Sequence, residues 1–335
     1  MTIKLITAFI LPLLFVTLFA KIYIPWLKRQ KAGQEIKSEV KQHSSKAGTP
    51  TLGGVMIILG VLLALLTVGF EGMLKGQFIH IFIFLFALVF GAIGFLDDWE
   101  KLKKKQNLGL SARVKFLLQL FAALVFVYFM QRLGYLKYDI YVPFFNVTLY
   151  PPKWLYFVFA AFVIVGTVNA VNITDGLDGL CTGTSIPVFI FYTALAFLTG
   201  EKFFELGVFS SAMLGALIGF LFYNFNPAKI FLGDTGSLFI GGAVAALAFV
   251  YDIPLVLLTL GIIYIIETLS DIIQISYYKA THGKRVFKMA PFHHHLELGG
   301  WSGKKWTEKE IFALFTLISL VFAIISFIGV LPRFK

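Results

Sequence analysis

The chain has 335 residues, 58% hydrophobic and 14% charged, with a mean hydropathy of +0.84. Soluble domains are about 45–50% apolar and about a quarter charged, so a water-soluble globule is excluded in favour of a polytopic membrane protein. The single cysteine, Cys181, excludes a disulfide framework and a multi-cysteine metal site, and reads as a packing residue. The net charge of +11 first marks topology in a membrane chain and secondly a phosphorylated or anionic-lipid partner; nucleic acid is not expected.

A bilayer span needs about 20 apolar residues, and about ten such segments are predicted. They form one all-α bundle, a single domain over residues 1–335. The first four are Ile3–Leu27, Leu52–Phe70, Phe78–Leu96 and Val114–Met130. The first is expected not to be a cleaved signal peptide, because Lys4 is its only early charge and its basic residues follow it. Tyr138–Pro152 alternates and holds β-branched and aromatic residues, so a small extramembrane hairpin is predicted. Trp154–Val171, Ser185–Leu198, Phe203–Tyr223, Leu238–Tyr251, Pro254–Tyr278 and Ile311–Val330 complete the set.

Lysine and arginine concentrate in alternate links. Lys28, Arg29, Lys31, Lys37, Lys41 and Lys46 follow the first segment; Lys101, Lys103, Lys104, Lys105, Arg113 and Lys115 follow the third; more lie before the last. The positive-inside rule puts these links in the cytoplasm and both termini, with the hairpin, outside. Arg132, Lys137 and Lys153 beside the hairpin are a mild exception. On this parity every unusual polar cluster shares the cytoplasmic face.

Five clusters, and one pair of acids, carry chemistry. Asn169, Asn172, Asp175 and Asp178 recur at intervals of three after an apolar run, with Gly176 and Gly179 between. On a continuing helix they lie close to one face, and polar groups this dense at a membrane boundary mark a functional site. Asp97-Asp98 ends another apolar run. Adjacent carboxylates repel unless a cation or proton intervenes, so they suit Mg²⁺ ligation or general-base work. Asn224 to Ser237 contains Gly233-Asp234-Thr235-Gly236 before an apolar helix. A helix start attracts phosphate, and Asp234 either holds a bridging metal or caps the helix. Lys46-Ala47-Gly48-Thr49-Pro50-Thr51 offers a point charge and a hydroxyl. His293-His294-His295 lie in the longest loop; three consecutive rings cannot point one way, so hydrogen bonding to phosphate or sugar fits better than zinc. Glu267 and Asp271, at i and i+4, line a polar groove, pair with lysine or reach the interface.

Acids and lysines on one face conflict with a bare phosphate ligand unless a divalent cation reverses the sign. Mg²⁺-assisted phosphoryl transfer with a membrane-borne partner is the economical reading. A transporter would show related halves and midplane breaks, and no repeat is seen. An intramembrane aspartyl protease needs Gly where Phe231 stands, and a CDP-alcohol phosphotransferase needs Ala-Arg where Thr182-Gly183 stand.

Together, Lys46-x-x-Thr-Pro-Thr-x-Gly-Gly54, Asp97-Asp98, Asn169-x-x-Asn172-x-x-Asp175-Gly-x-Asp178-Gly179, Gly233-Asp234-x-Gly-Ser237 and Pro291-x-His-His-His-x-Glu297 span the chain. In these the sequence resembles the polyprenyl-phosphate N-acetylhexosamine-1-phosphate transferase superfamily. The Pro-x-His-His-His form favours its muramoyl-pentapeptide branch. The resemblance implies UDP-N-acetylmuramoyl-pentapeptide as donor, undecaprenyl phosphate as acceptor, Mg²⁺ as cofactor and the bacterial plasma membrane as location; it allows a homodimer. It implies Asp234 as metal ligand and Asp97 or Asp98 as base at the lipid phosphate. Asp175, Asp178 and Asn172 would then lie around the donor, and Lys115 near the phosphates. Lys46, Asn224, Asp178 and Phe231 would hold uridine, with Thr51 nearby, and His293, His294 and His295 would face sugar or diphosphate.

Overall fold

Long apolar runs become helices because backbone polar groups in hydrocarbon must be satisfied within the segment. The computed structural model describes residues 2–30, 46, 48–104 and 108–334. The basic residues Lys31, Lys37, Lys41 and Lys105 lie outside them. In chain order the elements are α1 Thr2–Arg29, α2 Gly54–Thr67, α3 Phe70–Leu74, α4 Ile79–Lys104, α5 Ala112–Arg132, β1 Ile140–Val142, β2 Val147–Leu149 and α6 Lys153–Thr174. There follow α7 Leu180–Thr199, α8 Phe204–Asn224, α9 Gly233–Val250, α10 Leu257–Leu260, α11 Ile262–Ala280, α12 Phe292–Glu297 and α13 Glu308–Phe334.

Among the described residues, seven helical stretches are long and apolar enough to cross a membrane, or eight if a bent pair forms one span. The sequence predicts about ten. Leu52–Phe70 gives only the 14-residue α2, about 21 Å long. Leu180–Asn224 is one apolar stretch of 45 residues, interrupted by a 3-10 turn at Gly200–Phe203, whose halves α7 and α8 pack along each other. Pro254–Tyr278, predicted as one segment, bends by 80° between Pro254–Leu260 and α11.

Helix α9 is the axis of the bundle. Its Gly- and Ala-rich sequence is buried almost throughout and packs on α4, α6 and α2. Between membrane helices, small residues permit the close approach that drives association. A Cβ on Gly94 of α4 would lie 2.1 Å from the Asp234 carbonyl oxygen, and one on Gly54 of α2 would lie 2.3 Å from Gly236 Cα. Helices α1 and α13 flank this centre, α1 on α8 and α13 on α7.

The predicted hairpin forms with Ile140 opposite Leu149 and Val142 opposite Val147. It is latched to the C-terminal end of α13: Phe144 N–H donates to Gly329 O at 2.9 Å, and Arg333 lies 5.0 Å from the Tyr141 ring centre. Glu308 begins the same helix, about 38 Å away at 1.5 Å per residue. That distance separates the hairpin from the polar site.

Candidate active site

The acids meet where α4 ends and α9 begins. Gly233 precedes the turn with φ +74°, and a Cβ there would lie 2.7 Å from both Asp98 Oδ2 and Thr51 Oγ1. Only glycine fits both the left-handed backbone and the space. The first turn of α9 leaves free N–H donors, and Asp98 of α4 takes them. Its Oδ1 accepts from Asp234 N–H at 3.2 Å; its Oδ2 accepts from Thr235 N–H at 2.9 Å and Thr235 Oγ1 at 2.7 Å. The helix is therefore capped from a neighbouring helix, and the side chain of Asp234 is left for other work.

Asp234 accepts from Asn172 Nδ2 at 2.9 Å, Lys115 Nζ at 2.7 Å and Lys101 Nζ at 3.0 Å. Asp97 accepts from Leu110 N–H at 2.9 Å and pairs with Lys101 at 2.6 Å. Oxygens of Asp97, Asp98 and Asp234 all lie within 4.8 Å of one another. Opposite ligands of one Mg²⁺ are about 4.2 Å apart, so small side-chain movements let the three oxygens share one ion. The Lys101 ammonium already sits among them, 2.6, 3.9 and 3.0 Å from Asp97, Asp98 and Asp234. The hard-oxygen donor set and a cation held at its centre fit a divalent metal.

Helix α6 continues through Asn169 and Asn172 but ends at Thr174, so the four polar residues do not share one face. Asn172 reaches Asp234 and Ser237, whereas Asn169 donates to Gln119 Oε1 at 2.6 Å, one helical turn behind Lys115. Asp175 caps α6 beside the acid cluster, and its carboxyl has no hydrogen-bond partner among the described residues. Burial, then the negative Asp234, Asp98 and Asp178, push that carboxyl well above the usual range.

Asp178 lies beyond the break in a second cluster. Its Oδ1 accepts from Lys46 Nζ at 2.7 Å, and its Oδ2 accepts from Asn226 Nδ2 at 3.1 Å and Ala228 N–H at 2.9 Å. Glu308 accepts from Lys46 at 2.6 Å and from Asp178 N–H at 3.2 Å. Asn224 is buried with both ends of its amide engaged, by Thr182 Oγ1 at 2.8 Å and Ile230 O at 3.0 Å. It shapes the loop that carries Phe231. That loop pairs with Pro50–Gly54: Phe231 N–H donates to Pro50 O at 2.8 Å, and Gly53 N–H to Phe231 O at 2.9 Å.

The three histidines separate. His293 Nδ1 lies 2.7 Å from Glu267 Oε2, and its N–H donates to Glu267 Oε1 at 3.2 Å. Its Nε2 has no hydrogen-bond partner among the described residues and abuts Gly176, where a Cβ would lie 2.3 Å away. Glu267 thus fixes the ring, and Nε2 faces the backbone next to Asp175. His294 pairs with Glu297 at 2.7 Å. His295 is a core residue: Nδ1 accepts from Lys288 N–H at 3.1 Å, and the ring packs on Trp301 and Phe287. Burial, then the Lys288 charge, lowers its pKa, which suits an acceptor nitrogen.

Lys101, Glu267 and Glu308 were outside the sequence-derived site. Lys101 had a signal, its i+4 spacing from Asp97 on one helix. Glu267 had only burial in an apolar helix, which marks function without naming a partner. Glu308 had none: Thr307 and Glu310 form a capping box around it, so it looks like part of a solvated helix start.

A membrane-helix bundle with carboxylates and lysines gathered at one end defines an integral-membrane enzyme of charged substrates. The profile of the family described as glycosyl transferase family 4 matches residues 80–252, from the start of α4 to just beyond α9. The chain is 40% identical over 323 residues to the phospho-N-acetylmuramoyl-pentapeptide-transferase of Halalkalibacterium halodurans, covering 96% of each chain. It is 41% identical to the same-named protein of Listeria monocytogenes over 96% of this chain and 97% of the other. The Geobacillus thermodenitrificans protein of that name is also 41% identical, over 93% and 94%. The chain belongs to the phospho-N-acetylmuramoyl-pentapeptide-transferase family, within glycosyl transferase family 4.

Proposed function

We propose that the protein transfers phospho-N-acetylmuramoyl-pentapeptide from its UDP-linked donor to undecaprenyl phosphate. The products are lipid I and UMP, in peptidoglycan biosynthesis. The observation that carries this reading is the convergence of Asp97, Asp98 and Asp234 beside Lys101 and Lys115. Asp234, with Asp97 and Asp98, would hold a Mg²⁺ there, and that ion would supply neutralisation of the diphosphate charge. The lipid phosphate oxygen attacks the β-phosphorus of the donor, the bond to UMP breaks, and UMP leaves with the electron pair.

Asp97 is the better base for any proton left on the lipid phosphate, because Asp98 holds the start of α9 with three accepted hydrogen bonds. Lys101 and Lys115, which pair with these acids, would hold the phosphates. Asp175 and Asn172 lie against the donor, and His293 Nε2 hydrogen-bonds its diphosphate or sugar. Lys46, Asp178 and Thr51 position uridine, and the half-buried Phe231 ring stacks on uracil. Asn224, His294 and His295 act through the loops they hold. The basic links favour a cytoplasmic catalytic face, outer termini and an outer hairpin in a bacterial plasma membrane.

The test is UMP release by purified protein with Mg²⁺, undecaprenyl phosphate and each of two donors. Release is expected with UDP-N-acetylmuramoyl-pentapeptide. Release only with UDP-N-acetylglucosamine would move the chain's activity to the sibling branch, and a trapped phosphosugar–enzyme adduct would reject the single displacement.

A further inference from the structure

A second polar cavity lies at the opposite end of the bundle. It has a volume of about 220 Å³, bounded by Lys4 of α1, Glu71 and Gly72 of α3, Lys75, Glu201 and Glu205 at the α7–α8 connection. His80 beneath it and Asp97 of the acid cluster belong to one helix, roughly 26 Å apart along α4. The transfer reaction uses none of the residues that line this cavity.

The charges are unevenly matched. Glu71 takes both lysines: it pairs with Lys4, and with Lys75 at 2.7 Å. That triad keeps one positive charge, while Glu201 and Glu205 have no lysine partner among the described residues. Glu205 is only 6% exposed, and its buried Oε2 has no hydrogen-bond partner among the described residues. His80 Nδ1 lies 3.0 Å from Glu205 Oε2, but out of line for a hydrogen bond. Gly72 makes room for the carboxylate, since a Cβ there would lie 2.1 Å from Glu205 Oε1. A buried carboxylate facing a cavity without a donor is costly unless a proton or a cation completes it, and a ligand ammonium can do so.

The cation is not a bare metal. Among the described residues, only Asp97, Asp98 and Asp234 gather closely enough to share one. The Phe204 ring lines the cavity, and the Lys4 ammonium already lies over it, 6.0 Å from its centre, so this wall of the cavity tolerates a cation. The surplus positive charge lies on the Lys4–Glu71–Lys75 side, so the ligand needs an anionic group there. Exposed Ile3, Phe70 and Leu74 flank the same corner and suit acyl chains. We propose that this cavity binds the zwitterionic headgroup of an aminophospholipid, with its primary ammonium on Glu205 and its phosphate toward Lys75.

The test is native mass spectrometry of full-length protein taken from vesicles of phosphatidylethanolamine, phosphatidylcholine or phosphatidylglycerol. Wild-type protein is expected to retain phosphatidylethanolamine preferentially, because a quaternary ammonium cannot donate to Glu205 and glycerol carries no charge. Free O-phosphoethanolamine should not displace the lipid at millimolar concentration; displacement would assign the cavity to a soluble amine and overturn the lipid reading. Glu205→Gln and Gly72→Ala should each lower phosphatidylethanolamine retention about tenfold, the worth of one charge-assisted hydrogen bond. Equal retention of the three lipids by wild-type protein, a comparison that needs no variant, would overturn the proposal. So would undiminished retention in a folded Glu205→Gln protein.

Discussion

Asp98 and Asp234 share one helix start but do different work. Asp98 ties α4 to α9 through three hydrogen bonds, while Asp234 presents its carboxylate to Lys101, Lys115 and Asn172. Asp234→Asn should leave the fold intact and lower kcat by about 10²–10³-fold, the scale of losing one preorganised electrostatic contact. Steady-state UMP release checks this, and near-normal turnover would remove Asp234 from the metal. Glu267→Gln should lower kcat about 10- to 100-fold, the range for partners that orient a working imidazole, with little change in KM. Unchanged kcat would make the Glu267–His293 pair structural only. Asp175 gives a pH prediction. Its raised folded value lies above the unfolded one near 3.9. Its favourable protonated form is complete below about pH 4 and lost as pH rises through the raised value. Without divalent ion, Asp175→Asn should therefore unfold at a higher temperature than wild type at neutral pH, and at the same temperature near pH 4. A less stable variant at neutral pH would contradict the assignment.

The crossing of α4 and α9 sets the geometry of the acids. Gly94 abuts the Asp234 carbonyl, so Gly94→Ala forces the helices apart at the Asp98 cap. Overpacking of this kind costs about 1–3 kcal/mol. A lowered unfolding temperature with a disproportionate loss of UMP release is expected; wild-type values in both would show that the crossing has slack. Much of the site was legible because its residues are rare polar types in apolar surroundings. Asp97, Asp98, Asn172, Asp175 and Asp234 stand out for that reason, and the structure brings them together. What stayed hidden was pairing across the chain. Asn169 belongs to the right period yet turns to Gln119, because α6 meets α5 there. The three histidines read as one motif but have three partners, since α12 is a six-residue helix that points successive rings in different directions.

At the scale of the whole molecule, hydropathy located the helices and alternation located the hairpin, whose strands form at Ile140–Val142 and Val147–Leu149. Span count was less legible, because apolar length does not tell a span from the short α2 or reveal the 80° bend before α11, whereas the turn between α7 and α8 falls where the sequence predicts a break, between Leu198 and Phe203. Sidedness can be measured. With both termini and the hairpin outside, Phe145→Cys should react with a membrane-impermeant maleimide in intact cells, whereas Lys103→Cys and Ser302→Cys should react only after permeabilisation. Labelling of all three from one side would undo the topology.

The most direct test is Mn²⁺ binding followed by electron paramagnetic resonance on purified wild-type, Asp234→Asn and Asp98→Asn proteins. One ion per wild-type chain, lost or greatly weakened in Asp234→Asn, is the result predicted by a shared carboxylate centre. Unchanged binding in both variants would place the ion elsewhere and contradict the account.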